Sequence, residues 1–130
     1  RILTAPATNL PEVSRAGLGF IGALQRTAVA TDSAVTITVA QMAGGLLQYT
    51  GFTAGRAITT PTAALILAAA PDMDIGDSFS FILSITTAFA GTHTAGVGVT
   101  LSGRATTPES SWSIVTVTKL TATTVEWNVT

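Results

Sequence analysis

A single histidine, seven carboxylates and no cysteine are the groups in this chain with the potential for acid–base, nucleophilic or metal chemistry. His93 lies in Gly91-Thr92-His93-Thr94-Ala95-Gly96, where the flanking glycines mark a loop. A nucleophilic triad needs Ser or Thr beside that histidine, an acid behind it, and a strained turn such as Gly-x-Ser-x-Gly to present the nucleophile. No such turn occurs, so His93 reads as an exposed loop histidine.

Asp72, Asp74 and Asp77 form the one acidic cluster. A calcium loop of EF-hand type would need more oxygen ligands and a distal glutamate, and Ile75 and Gly76 stand where ligands should be. Turn chemistry after a helix accounts for the three aspartates. Glycoside hydrolysis needs two carboxyl groups about 5 to 9.5 Å apart. Sequence spacing does not define that relation for Asp32, Glu109, Glu126, Glu12 and the cluster. Gly96-Val97-Gly98-Val99 opens a strand rather than a helix and is no dinucleotide fingerprint, and Asn128-Val129-Thr130 matches a glycosylation acceptor without a secretory signal to go with it. The expectation is a non-enzymatic domain with no catalytic residues, cofactor or metal.

Composition points to what such a domain does instead. Of 130 residues, 47% are hydrophobic and only 10% charged, against about 25% charged in an average soluble domain. Threonine, serine, alanine and glycine must cover the surface. Small hydroxyls lose less on leaving water than ammonium or carboxylate groups do, so such faces can be buried against neighbours without stranding charge. Net charge is −1, and the six basic residues Arg1, Arg15, Arg26, Arg56, Arg104 and Lys119 are scattered singly. Nucleic-acid binding needs a basic patch, and membrane binding needs a basic amphipathic helix or a long apolar span. Neither is present in the sequence, so no nucleic-acid or membrane partner is expected.

Residues 1–19 contain Pro6, Pro11, Gly17 and Gly19 and no regular periodicity, and they read as an extended N-terminal arm. The arm holds Ile2, Leu3, Leu10, Pro11 and Val13, too apolar a set to be left in water, and these are the candidate contacts with a neighbouring protein. Residues 20–130 form the domain. The run Ala34 to Ala40 alternates, with Val35, Ile37 and Val39 on one face, and predicts a strand. Leu46 to Thr50 and Arg56 to Thr59 predict further strands, divided by Gly44-Gly45, Gly51 and Gly55.

One helix is predicted, capped by Thr59 or Thr60, entered at Pro61 and stopped by Pro71. Apolar nearly all round, it should be buried or packed in an interface. Ser78 to Thr86 is the strongest strand, with Phe79, Phe81, Leu83 and Ile85 on one face and hydroxyls on the other, interrupted by Ile82. Strands at 97–101, 112–118 and 124–129 complete the set. In the second of these the core residues are Trp112, Ile114 or Val115, and Val117, while the last buries Val125, Trp127 and Val129. This pattern predicts a mainly β domain, an antiparallel β-sandwich or jelly-roll-like barrel with one short α-helix. No repeat of fixed period is visible, which speaks against a solenoid or propeller.

The central block Gly44-Gly45-Leu46-Leu47-Gln48-Tyr49-Thr50, Ile58-Thr59-Thr60-Pro61-Thr62-Ala63-Ala64 and Ile75-Gly76-Asp77-Ser78-Phe79 resembles tailed-phage capsid decoration (cement) proteins. It is also similar to head- or tail-fibre domains and to the heads of viral collagen-like proteins. The resemblance covers about Gly44 to Val129. It implies a homotrimer with contacts near the alanine-rich helix, at Ala63, Ala64, Leu67 and Ala68, and a place on the outer capsid surface of the virion, bound to the major capsid protein. The alternative it implies is a trimeric fibre domain that binds a host receptor or glycan, for which Tyr49, Phe52, His93 and Trp112 are the candidate contacts. Large aromatics in alternating strands normally face the core, so Trp112 is expected there.

Overall fold

The structure, a computed structural model, describes residues 24–130. The arm at 1–19, with Ile2, Leu3, Leu10, Pro11 and Val13, lies outside the described residues. Ten strands and two short helices follow one another: β1 (Gln25–Val29), β2 (Val35–Thr36), α1 (Val39–Ala43), β3 (Gly45–Tyr49), β4 (Arg56–Thr59), α2 (Ala63–Ala69), β5 (Ser78–Ile85), β6 (Gly91–Thr94), β7 (Val99–Gly103), β8 (Thr106–Thr107), β9 (Ser111–Lys119) and β10 (Val125–Val129). They build a six-stranded sheet in the order β1-β3-β5-β9-β10-β7 and a four-stranded sheet in the order β2-β4-β6-β8. The fold is mainly β, with two sheets and little helix, as a β-sandwich requires.

Strand direction departs from the antiparallel expectation. Five of the eight pairings are parallel, namely β1 with β3, β3 with β5, β2 with β4, β4 with β6 and β10 with β7. The three antiparallel ones are β5 with β9, β9 with β10 and β6 with β8. The cause is the route of the chain. It passes from the large sheet to the small one, then through a helix back to the large one, twice in succession, and starts a third such circuit with β5 and β6. A chain that returns to the same end of a sheet must lay its next strand parallel, which needs a long crossover rather than a two-residue hairpin. The glycines around residues 44–55 therefore mark passages between sheets. The circuits differ in length, the second being longer at both its loop and its helix, so they leave no fixed period in the sequence.

The run 34–40 is only in part a strand. After Thr36 the chain turns into α1, because Thr38 caps it: its side chain accepts from the Gln41 backbone, and the Gln41 side chain accepts from Thr38 N–H at 3.0 Å. This reciprocal capping box satisfies two donors that a helix start leaves open, and it outweighs the alternation of Val35, Ile37 and Val39. In α2 the cap is Thr62, not Thr59 or Thr60, and it accepts from Leu65 N–H at 3.3 Å. Thr60 is buried instead, with its hydroxyl donating to Pro61 C=O and accepting from Gly96 N–H.

Between the sheets lies one apolar core. Leu47, Leu83, Ile85, Val115, Val117, Val125 and Trp127 from the large sheet meet Ile58 from the small one and Ile66 from α2. Each such side chain contributes about 1.5–3 kcal/mol by leaving water. Trp127 packs edge-on against Phe81 (centroids 5.5 Å, planes at 70°), and Tyr49 stacks on Phe52 at 5.2 Å. Burial pushes the Tyr49 phenol well above its ordinary pKa. Gly103 ends β7 with φ +77, where a side chain would strain the backbone and run into Val129.

Candidate docking face

Two features gather the polar and aromatic residues that the sequence singles out: a chain of hydrogen bonds inside the sandwich and the outer face of the large sheet.

His93 is not on a loop. It sits on β6, 5% exposed, because Gly91 and Thr92 pair with Thr107 and Thr106 of β8 while Ile58 of β4 lies on its other side. The flanking glycine has a packing role: a side chain at Gly91 would collide with Ile58 and Ile85. Nε2 of His93 lies 2.9 Å from Thr107 Oγ1, which donates to Ser113 Oγ, which also accepts from Arg104 Nη2 at 2.9 Å. Burial, and secondarily the Arg104 charge, press the imidazole pKa from 6.5 down to about 4. The order of groups superficially suggests a nucleophile and its base. Yet Ser113 is the acceptor end of the chain, so this geometry hands its hydroxyl no base.

The three aspartates make the turn that the sequence indicates, with Asp77 accepting from Asp74 N–H at 2.9 Å. Among the described residues no three His, Cys, Asp or Glu side chains converge as a metal site would require.

On the large sheet, alternation sends one set of side chains inward and the other out. The register of β9 is fixed by its pairing with β5, which sets Val115 opposite Phe81 and Val117 opposite Phe79 on the core side. Ser113 then takes the third inward position, where Thr107 and Arg104 satisfy its hydroxyl. Trp112 and Ile114 are thereby turned out, 57% and 38% exposed, which corrects the expectation that Trp112 lies in the core.

The outward set is ordered in rows across the strands. Leu46, Ile82 and Ile114 are in register on β3, β5 and β9 and form an apolar row. Gln48, Ser84 and Trp112 form the next. On the other side of the apolar row run hydroxyls and amides: Ser80 bonded to Thr116 at 3.0 Å, and Asn128 donating to Ser102 at 2.8 Å. Among the described residues, charge enters this face only at Arg26 on β1, whose Nε donates to Gln48, and at Glu126 on β10. Trp112 stands between two shallow depressions, one of about 270 Å³ lined by Leu46, Ile82 and Ser84, the other of about 250 Å³ lined by Ser84, Thr86 and Ser110.

The helix set Ala63, Ala64, Leu67 and Ala68 is split by the fold. Ala63 is buried within the fold and Leu67 is half-buried against the core, whereas Ala64 and Ala68 are exposed beside Leu65. An apolar groove of about 190 Å³ between α1 and α2 is lined by Met42, Ile66, Ala69 and Phe79. Of the candidate receptor contacts, Tyr49, Phe52 and His93 are buried and Trp112 alone is presented to solvent. Comparison of the chain with family models, curated proteins and solved structures finds no match.

Proposed function

We propose that this chain is a structural virion module, a capsid decoration protein that acts by being covered rather than by chemistry. The observation that carries the reading is the row Leu46–Ile82–Ile114 with Trp112 beside it, on a sheet face whose interior holds no charge. An exposed apolar row of this kind marks an interaction surface when it is contiguous and rimmed by polar groups. The surrounding Ser and Thr side chains are desolvated cheaply on docking. The resemblance of the Gly44 to Val129 block supplies the setting: a homotrimer on the outer capsid surface, bound to the major capsid protein. A trimer touching several capsid subunits at once attaches through effective concentration, so modest contacts in each subunit add up to tight binding and cement the shell.

The second reading is a trimeric fibre domain that binds a receptor or glycan, and the specific observation in its favour is Trp112, an exposed aromatic between two depressions. The burial of Tyr49, Phe52 and His93 leaves it one of its four candidate contacts, which favours the decoration reading.

The test is to add purified chain to undecorated tailed-phage particles and reconstruct images of them. Density on the outer shell with threefold shape is the expected result. A chain that leaves shells bare and gives a signal on a glycan array overturns the first reading and supports the second.

A further inference from the structure

His93, Thr107, Ser113 and Arg104 join β6, β8, β9 and the loop after β7 into one hydrogen-bonded chain. Its direction can be read from its end. Arginine can only donate, and Thr107 spends its one proton on Ser113. Thr107 Oγ1 therefore accepts from the imidazole, and the ring proton is on Nε2. Nδ1 is then a bare acceptor, buried and without a partner among the described residues. A proton arriving there creates a buried N–H with nothing to receive it and a second positive charge near Arg104.

Among the described residues no neighbouring group offsets that charge. β4 presents Ile58, and its Arg56 is held by Asp32. β5 and β8 carry no ionisable side chain. The one charge on β9, Lys119, donates to Met73 C=O at the strand's far end. Glu109, exposed beyond β8, does not act on the ring, and Arg104 is the only charged group among the described residues that does. The strand most dependent on the chain is itself weakly held in its sheet, since β8, like β2, has two register pairs and lies at an edge.

We propose that His93 is an acid-sensitive latch: the closed chain offers no acceptor to a proton on Nδ1, so protonation favours an open state in which the ring leaves Thr107 and the segment Arg104 to Ser110 separates from the four-stranded sheet. The closed ring titrates at about 4 and the open one near 6.5. Between these values the open state binds more protons, so the latch is at full strength above about pH 6.5 and weakens as pH falls toward 4. From pH 6.5 to 4.5 the closed-to-open ratio falls about 40-fold, the slope staying below tenfold for each pH unit. Arg104 Nη2 also lies 3.4 Å from Trp112 C=O, so opening reaches the outer sheet face. That last consequence rests on the proposed docking role, whereas the latch does not.

The experiment is amide hydrogen exchange on the full chain between pH 7 and 4.5, corrected for intrinsic rates, in wild type and His93→Gln. The glutamine amide can still donate to Thr107 but does not titrate. The expected result is a loss of protection of about 60-fold at the His93 and Ser110 amides in wild type and none in the variant. Equal behaviour of the two proteins overturns the latch. If the variant does not fold, NMR titration of the sole imidazole in wild type decides: a midpoint below pH 5 with the proton on Nε2 upholds it, and a midpoint near 6.5 or a proton on Nδ1 overturns it. Neither readout involves particle binding, so the latch and the docking role fail separately.

Discussion

Ile82 and Ile114 face each other across β5 and β9 on the outer side of the six-stranded sheet, while Phe81 and Val115, one residue along in each strand, face each other in the core. The same two strands thus carry a hidden apolar surface and an open one. The hidden surface holds the fold together. The open one is available to a partner.

Ile114→Asp should separate these roles. A charge in the middle of the apolar row would have to be desolvated on docking, so particle binding should be abolished. Folding should suffer by about 1 kcal/mol or less, since Ile114 is exposed. Particle co-sedimentation and a urea unfolding curve measure the two effects, and undiminished binding by a folded variant would remove this face from the interaction.

Trp127→Ala should do the reverse. This side chain is fully buried against Phe81, and its loss should cost about 3–5 kcal/mol. Trp127→Phe should cost much less, because it keeps most of the ring and removes an indole N–H that has no partner among the described residues. Denaturant midpoints of the two variants check the order.

Thr38→Ala should weaken the start of α1 by about 1 kcal/mol, the usual value of an N-cap. Gln41→Ala should lower stability by a smaller amount, since it breaks one half of the capping box and leaves the other. Thermal unfolding of the two single variants and the double variant should show less than additive loss.

Asp32 connects the β1–β2 loop to β4. Its carboxylate accepts from the Thr53 hydroxyl and, at 2.8 Å, from Thr53 N–H, and pairs with Arg56 at 2.9 Å. The Thr53 hydroxyl first, then its N–H and Arg56, hold the pKa at about 2 instead of 3.8. A depressed carboxylate contributes stability above its unfolded pKa and loses it as pH falls through the folded one. Asp32→Asn should therefore be less stable than wild type at neutral pH, and the gap should close between about pH 3.8 and 2. Melting temperatures over that range test it, and a constant gap would show that the carboxylate charge is irrelevant.

Much of this was legible from local pattern alone. Strict alternation in Ser78 to Ile85 and Val125 to Val129 determines which side chains are buried wherever one face meets a core, and the charge-poor, threonine-rich composition already describes a surface that is easily covered. What only the tertiary structure decided is whatever depends on partners distant in the chain. The parallel direction of β1, β3 and β5 follows from a route through two sheets, which period-two patterning does not record. Trp112 faces out and Ser113 in because β5 sets the register and because Thr107 and Arg104 are there to satisfy a buried hydroxyl. His93 is buried for a similar reason: β4 and β8 close on either side of a segment whose glycines read locally as a loop. Burial of polar groups is decided by who supplies the hydrogen bond, and those suppliers come from elsewhere in the fold.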